Sequence, residues 1–351
     1  MTLPSTESLL HRLGWDDGWE AAFAEHRAAG LAPARVAVQH RGAYDILTEE
    51  GEVRASAANR LVREDDLPAV GDWVGLDRES GLVEALLPRR TAISRKEVWH
   101  ATREQILAAN VDVAFLVQAL PLDFNVRRLE RYLAMAWESG AQPVVLLTKS
   151  DLVDDIAPYL DDAESATFGS CPVHVVSARR GAGVEELRAF LDGNRTAVFL
   201  GSSGVGKSTL VNSLVCEELL ATQEVREDDQ AGRHTTTRRE LILLPTGGVV
   251  LDTPGIRELQ LWDADLEQTF GDVEEVARRC RFSDCAHDAE PGCAIRDALA
   301  DGSLAAERWQ SYAKLQRELE ALEARRNHLL RAERVRGYKI RARQNRPKRE
   351  R

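Results

Sequence analysis

The sequence is short of everything that marks an exported or membrane-embedded chain. No stretch approaches the ~18 consecutive apolar residues of a membrane-crossing helix. The N-terminus lacks the basic, apolar and small-residue succession of a secretory leader. Neither a membrane partner nor export is expected, and the cytoplasm is the expected compartment. Cysteine is scarce, with five among 351 residues, and without a leader these point to a reducing environment where clustered thiols hold metal. Net positive charge is missing too: the formal charge is −11. That sum hides an asymmetry. From Arg331 to Arg351, ten Arg or Lys stand against Glu333 and Glu350, so the tail carries +8 and the remainder −19. A basic tail on an acidic body reads as an arm for a polyanion, or as a solvated tail.

What is present centres on Gly201-Ser202-Ser203-Gly204-Val205-Gly206-Lys207-Ser208-Thr209, between an apolar run at 196–200 and a helical pattern from Leu210. This G-x-x-x-x-G-K-[ST] is a P-loop. Its glycines let successive backbone N–H groups close on phosphate oxygens at a helix start. Lys207 reaches the β and γ phosphates, and the Ser208 hydroxyl offers Mg²⁺ one coordination position.

Along the chain, residues 1–32 read as a helical extension, with Trp15, Trp19 and Phe23 at helical spacing for docking. Residues 33–97 hold short runs, at 34–38, 44–47, 72–76 and 82–86, separated by Gly and acidic turns. That spacing suggests a small closed barrel, most simply an OB-fold, either RNA-binding or a packing module. Arg89, Arg90, Arg95 and Lys96 give its exit a basic edge. Residues 98–262 alternate strand and helix, the pattern of a parallel sheet covered on both faces. Residues 263–351 read as helical and carry the basic tail. The fold class expected is therefore multidomain α/β.

Four strands run into polar motifs at their carboxyl ends, where an open α/β sheet places its ligand. Asp252 in Asp252-Thr253-Pro254-Gly255 is positioned to hold Mg²⁺ through water, and the Gly255 N–H to sense the γ-phosphate. Thr148-Lys149-Ser150-Asp151 matches the base-reading N-K-x-D except in its first residue. The Asp151 carboxylate would accept from guanine N1 and N2, a donor pair that adenine lacks, with the Lys149 stem over the ring. Ser177-Ala178-Arg179 would add a backbone N–H for guanine O6. The order is permuted: base-reading motifs come first and D-x-x-G last. The usual sheet can still form if the ordinary termini are joined near Asn194. Further on, Cys280, Cys285, His287 and Cys293 supply three thiolates and one imidazole. This is a closed set for one structural Zn²⁺ with no open position for chemistry. Cys171 and Cys216 are expected in the core.

With that order, and with Gly232-Arg233-His234-Thr235-Thr236-Thr237, Ala69-Val70-Gly71-Asp72-Trp73-Val74 and Ala108-Ala109-Asn110-Val111-Asp112, the sequence resembles the RsgA/YjeQ family of circularly permuted small ribosomal subunit biogenesis GTPases. The resemblance spans roughly residues 33–320. It implies an OB-fold, a permuted G domain and a C-terminal zinc domain. The implied activity is GTP hydrolysis stimulated by the 30S subunit and its 16S rRNA, by a monomer using Mg²⁺. By position, Thr237 becomes the switch threonine for Mg²⁺ and γ-phosphate, with Thr236 second. Two departures stand out. Thr148 replaces Asn, which should weaken one hydrogen bond steadying the base site. Ile256 follows Gly255 where many GTPases have a water-orienting Gln. His234 is then the candidate catalytic group, with a structural histidine as the alternative. The competing functions are an RNA-binding assembly module with GTP as a structural or regulatory ligand, and a GTPase serving another client.

Overall fold

The computed structural model describes residues 7–96, 104–215, 240–252, 266–288, 290–321 and 324. The chain divides into two compact units, one of residues 1–93 with 106–259, the other of 94–105 with 260–351.

In the first unit, α1 (Leu9–Arg12) and α2 (Asp17–Ala28) form the N-terminal extension. Asp16 caps α2, its carboxylate accepting from the Trp19 N–H at 2.8 Å, a bond that satisfies one of the orphan donors of a helix start. The expected apolar face docks: Trp15 meets Trp73 edge-on with centroids 4.8 Å apart, and Trp19 and Phe23 are buried. A five-stranded OB-like barrel follows, from β1 (Ala32–Gln39), β2 (Tyr44–Thr48), β3 (Gly51–Ala57), β4 (Trp73–Asp77) and β5 (Leu82–Leu86), with α3 (Asn59–Glu64) after β3. Pairing of β1 with both β2 and β4 closes it. Alternation fills it: Tyr44, Ile46 and Thr48 of β2 are buried, and Tyr44 and Ile46 meet Val36, Val74 and Val83. β3 has no counterpart among the sequence runs, because Glu52, Val53 and Arg54 face solvent and only Ala55 is fully buried.

Beyond β6 (Ala92–Lys96) and β7 (Glu104–Ala109), which pair with each other, the chain builds its central sheet. The elements are β8 (Val113–Ala119), α4 (Val126–Glu138), β9 (Gln142–Thr148), α5 (Ala157–Thr167), β10 (Val173–Val175), α6 (Val184–Arg188), β11 (Thr196–Leu200), α7 (Lys207–Val215), β12 (Glu240–Leu243) and β13 (Val249–Asp252). Strand order is β10-β9-β8-β11-β13-β12, parallel except for β12. β8 and β11 are buried at every residue, as expected of central strands covered on both faces. The sheet does not stop at β12. Glu240 pairs with Asp252 on one side and with Val38 of the barrel on the other, so barrel and central sheet share one backbone ladder.

A second joint lies at Arg35, which is 1% exposed. Its guanidinium donates to the carbonyls of Gly71 and Asn110, each at 3.2 Å, and to that of Leu13. It also lies 5.0 Å from the Trp73 ring centroid. Burial pushes its pKa down to about 10, which leaves it charged at neutral pH. Gly71 is fixed in identity there, with φ +93° and a Cβ position 2.1 Å from the Ala109 carbonyl.

The second unit contains α8 (Leu266–Thr269), α9 (Gly271–Ala277), α10 (Ala294–Asp301) and α11 (306–321). Tyr312 and Leu315 of α11 are buried. Arg308 locks α11 to its neighbours, donating to both Asp272 oxygens at 2.9 and 3.1 Å and to the Thr269 carbonyl at 2.7 Å.

Candidate nucleotide site and metal centre

The nucleotide site starts where β11 ends. Gly204 and Gly206 have φ of +78° and +97°, the left-handed region that glycine enters without strain. Gly201 is set by crowding, since a Cβ there would sit 2.4 Å from the Val117 carbonyl of β8. The loop is therefore pressed against the neighbouring strand as it turns into α7. Lys207, first residue of that helix, folds back so that Nζ donates to the carbonyls of Gly201 at 2.8 Å and Ser202 at 2.6 Å. This seats the ammonium against the loop backbone. Ser208 follows it, half-buried.

Residues 148–151 close onto the same loop. β9 ends at Thr148, which is 3% exposed, and its hydroxyl donates to the carbonyl of Val205 in the P-loop at 2.7 Å. Lys149 then turns left-handed, φ +56°, into the short 3-10 turn Ser150–Leu152. Ser177, 1% exposed, donates from Oγ to Asp151 Oδ1 at 2.6 Å. This hydrogen bond is the main reason the Asp151 carboxyl sits below its ordinary range, with Arg180 and Arg179 adding to it. The segment after Ser177 is folded by reciprocal backbone bonds with Ala182, which presents Ala178 and Arg179 at a turn.

In the second unit, ligand atoms of Cys280, Cys285, His287 and Cys293 lie within 4.8 Å of one another. His287 Nδ1 is 3.5 Å from both Cys280 Sγ and Cys293 Sγ. Burial works to raise the Cys280 thiol, yet N–H groups of Ile295 and Ala294 at the start of α10, with the neighbouring thiols, outweigh it and hold the group below its ordinary value. Burial and the adjacent thiols push Cys285 up to about 11. Three thiols so close cannot all ionise without a cation, and one imidazole completes a tetrahedral S₃N set, so the residues fit one zinc ion. Glu290 shapes the loop by accepting from the Ala286 and Asp288 N–H groups at 3.1 and 3.0 Å.

Comparison with known proteins decides the family. The RsgA GTPase model matches residues 86–262. A protein of Opitutus terrae named small ribosomal subunit biogenesis GTPase RsgA is 48% identical, over 94% of this chain and 95% of its own length. The chain belongs to the RsgA GTPase family. A second RsgA, from Streptomyces coelicolor, is 46% identical over 96% of this chain and 94% of its own. The crystal structure of YjeQ from Thermotoga maritima superposes with TM-score 0.62 at 27% identity, covering 82% of this chain and 98% of that one. YloQ, a circularly permuted GTPase, shares the fold with TM-score 0.57 at 24% identity, over 83% and 96%. The RsgA family is one of GTP hydrolases, which use Mg²⁺ with GTP.

The fold thus gathers the P-loop, 148–151 and 177–179 at the carboxyl ends of the parallel strands, with the Asp252 backbone at the end of β13, separated from β9 by the two strands β11 and β8. Gly232, Arg233, His234, Thr235, Thr236, Thr237, Thr253, Pro254, Gly255, Ile256, Cys216 and the basic tail lie outside the described residues. Cys171 is buried, and burial pushes its thiol up to about 12. Glu290 was not anticipated. An acid three residues after a ligand histidine was its only signal, and spacing alone does not reveal that both its oxygens hold backbone.

Proposed function

We propose that this chain binds the 30S ribosomal subunit and hydrolyses GTP to GDP and phosphate during late small-subunit maturation, with the subunit stimulating turnover. The observation that carries the nucleotide part is the Thr148–Val205 hydrogen bond. It joins the guanine-reading stretch to the phosphate-binding loop around one site. The ribosomal part is supported by relatives named for small-subunit biogenesis.

In this reading, residues 201–209 cradle the phosphates and Lys207 meets the β and γ oxygens. Ser208, Thr237 and Asp252 would hold Mg²⁺, which when bound neutralises charge building on the transferred phosphoryl group. Asp151 accepts from guanine N1 and N2, Lys149 covers the ring, and an N–H at 178–179 meets O6. Gly255 senses the γ-phosphate, and His234 positions or deprotonates the attacking water in place of the glutamine that Ile256 displaces. Cys280, Cys285, His287 and Cys293 hold one structural zinc. The barrel at 33–97 and the tail at 331–351 contact 16S rRNA phosphates, and the chain acts as a cytoplasmic monomer.

GTP turnover with and without purified 30S subunits tests this, with Lys207→Ala as the control for contaminating activity. Stimulation of the parent chain and silence of the variant are expected. Unchanged turnover on adding 30S would instead favour an RNA-binding assembly module that uses GTP as a structural ligand.

A further inference from the structure

The threonine that stands where asparagine is usual changes what the site can read on the base. Guanine presents two acceptors, N7 and O6, on the edge away from its N1 and N2 donors. Reading N7 needs an N–H or O–H on the protein. An asparagine at position 148 would bring two amide N–H donors and one acceptor, enough to bind the P-loop and the base together. A threonine brings one proton.

That proton is committed. Thr148 Oγ1 lies 2.7 Å from the Val205 carbonyl and 3.3 Å from the Gln118 carbonyl, and both partners are acceptors only. Thr148 is 3% exposed, and its backbone carbonyl accepts from the Leu120 N–H at 2.9 Å, so strand pairing fixes the side chain beneath the loop. The hydroxyl cannot turn to the base without leaving a buried P-loop carbonyl unmet, which costs more than a new contact returns.

We infer that Thr148 is a positioning residue that ties the base-reading stretch to the P-loop, and that this chain recognises guanine without a contact to N7. The inference deepens the nucleotide reading above and rests on it. Specificity then falls on Asp151 and the 178–179 backbone.

The test compares equilibrium binding of GTP with that of 7-deaza-GTP, in which N7 is replaced by C–H, on the full chain. Dissociation constants within about two-fold of each other are expected. A loss of about five-fold or more for 7-deaza-GTP, the size of one hydrogen bond, overturns the inference. Thr148→Val, which removes the proton, should weaken both nucleotides by the same factor, and Thr148→Ser should restore them. If Thr148→Val leaves both constants unchanged, the tether has no role and the positioning assignment fails. Failure of the parent chain to bind GTP at all would remove the underlying nucleotide reading, a result separate from a measurable preference for GTP over its 7-deaza analogue.

Discussion

Replacing Asp151 with Asn should convert a guanine site into a xanthine site, and the structure says why the amide would point the right way. Ser177 Oγ, buried, donates to Asp151 Oδ1 at 2.6 Å. After Asp151→Asn that hydroxyl still needs an acceptor, so it takes the amide oxygen and leaves the NH₂ facing the base. Guanine then meets donor against donor at N2, and loses two hydrogen bonds to a charged carboxylate, each worth about 1.5–3 kcal/mol. The sum of about 3–6 kcal/mol is a loss of roughly 10²–10⁴-fold in GTP affinity. Xanthine carries a carbonyl at C2 and accepts what guanine cannot. Competition by GTP and XTP against a fluorescent nucleotide measures both constants. GTP binding to the variant within about three-fold of the parent, less than the loss of a single hydrogen bond, would refute the role given to Asp151. Adding Ser177→Ala should erode the xanthine preference, because the amide is then free to flip.

Three further outcomes follow from the same geometry. The Asp151 carboxyl lies below its ordinary range, so it remains ionised until the pH falls under about 4. The ratio of GTP affinity to that of ITP, which lacks the 2-amino group and shares the same phosphate titration, should be flat from neutrality down to that point, and a midpoint near pH ~6, where histidine titrates, would assign guanine recognition to another group. Gly71→Ala places a Cβ 2.1 Å from the Ala109 carbonyl in a left-handed residue; a cost of at least about 2 kcal/mol is expected, visible as a lowered Tm, and an unchanged Tm would contradict the packing. Metal analysis should give one zinc per chain. Because binding to such a set supplies folding free energy of about 10–16 kcal/mol, chelation or Cys293→Ala should expose 266–321 to protease, and persistent resistance would argue that packing of Arg308 and Tyr312 suffices alone.

Much of this is legible in the residues alone, and for physical reasons. The P-loop is a backbone device, so its glycines sit at fixed offsets whatever surrounds them. The zinc set has equally rigid demands, and both fall on one contiguous stretch. Buried strands such as 113–119 announce themselves because both faces must be apolar. β3 did not, since a barrel strand whose residues 52–54 all face solvent and whose one fully buried side chain is Ala55 carries almost no hydrophobic contrast. β6 and β7, five and six residues long, were not read as strands either. Arg35 was invisible for a different reason: its carbonyl partners are backbone atoms, and backbone atoms have no letter in a sequence. Thr148 was read as a weakened asparagine, yet its hydroxyl keeps the contact with the loop. What the substitution gives up is the second donor, a loss that shows only when the partners of the first are counted.

The cradle around Arg35 draws its acceptors from residues 13, 71 and 110. Any excised piece holding only the barrel would keep one of the three and lose the cover that Leu13 and Asn110 provide, giving up two hydrogen bonds to a charged group worth about 1.5–3 kcal/mol each. Lysine could not substitute, because a point charge cannot reach three divergent carbonyls from a planar fork's position. The barrel is thus a fixed arm of this chain and not a cassette that recombination could lift out and graft elsewhere.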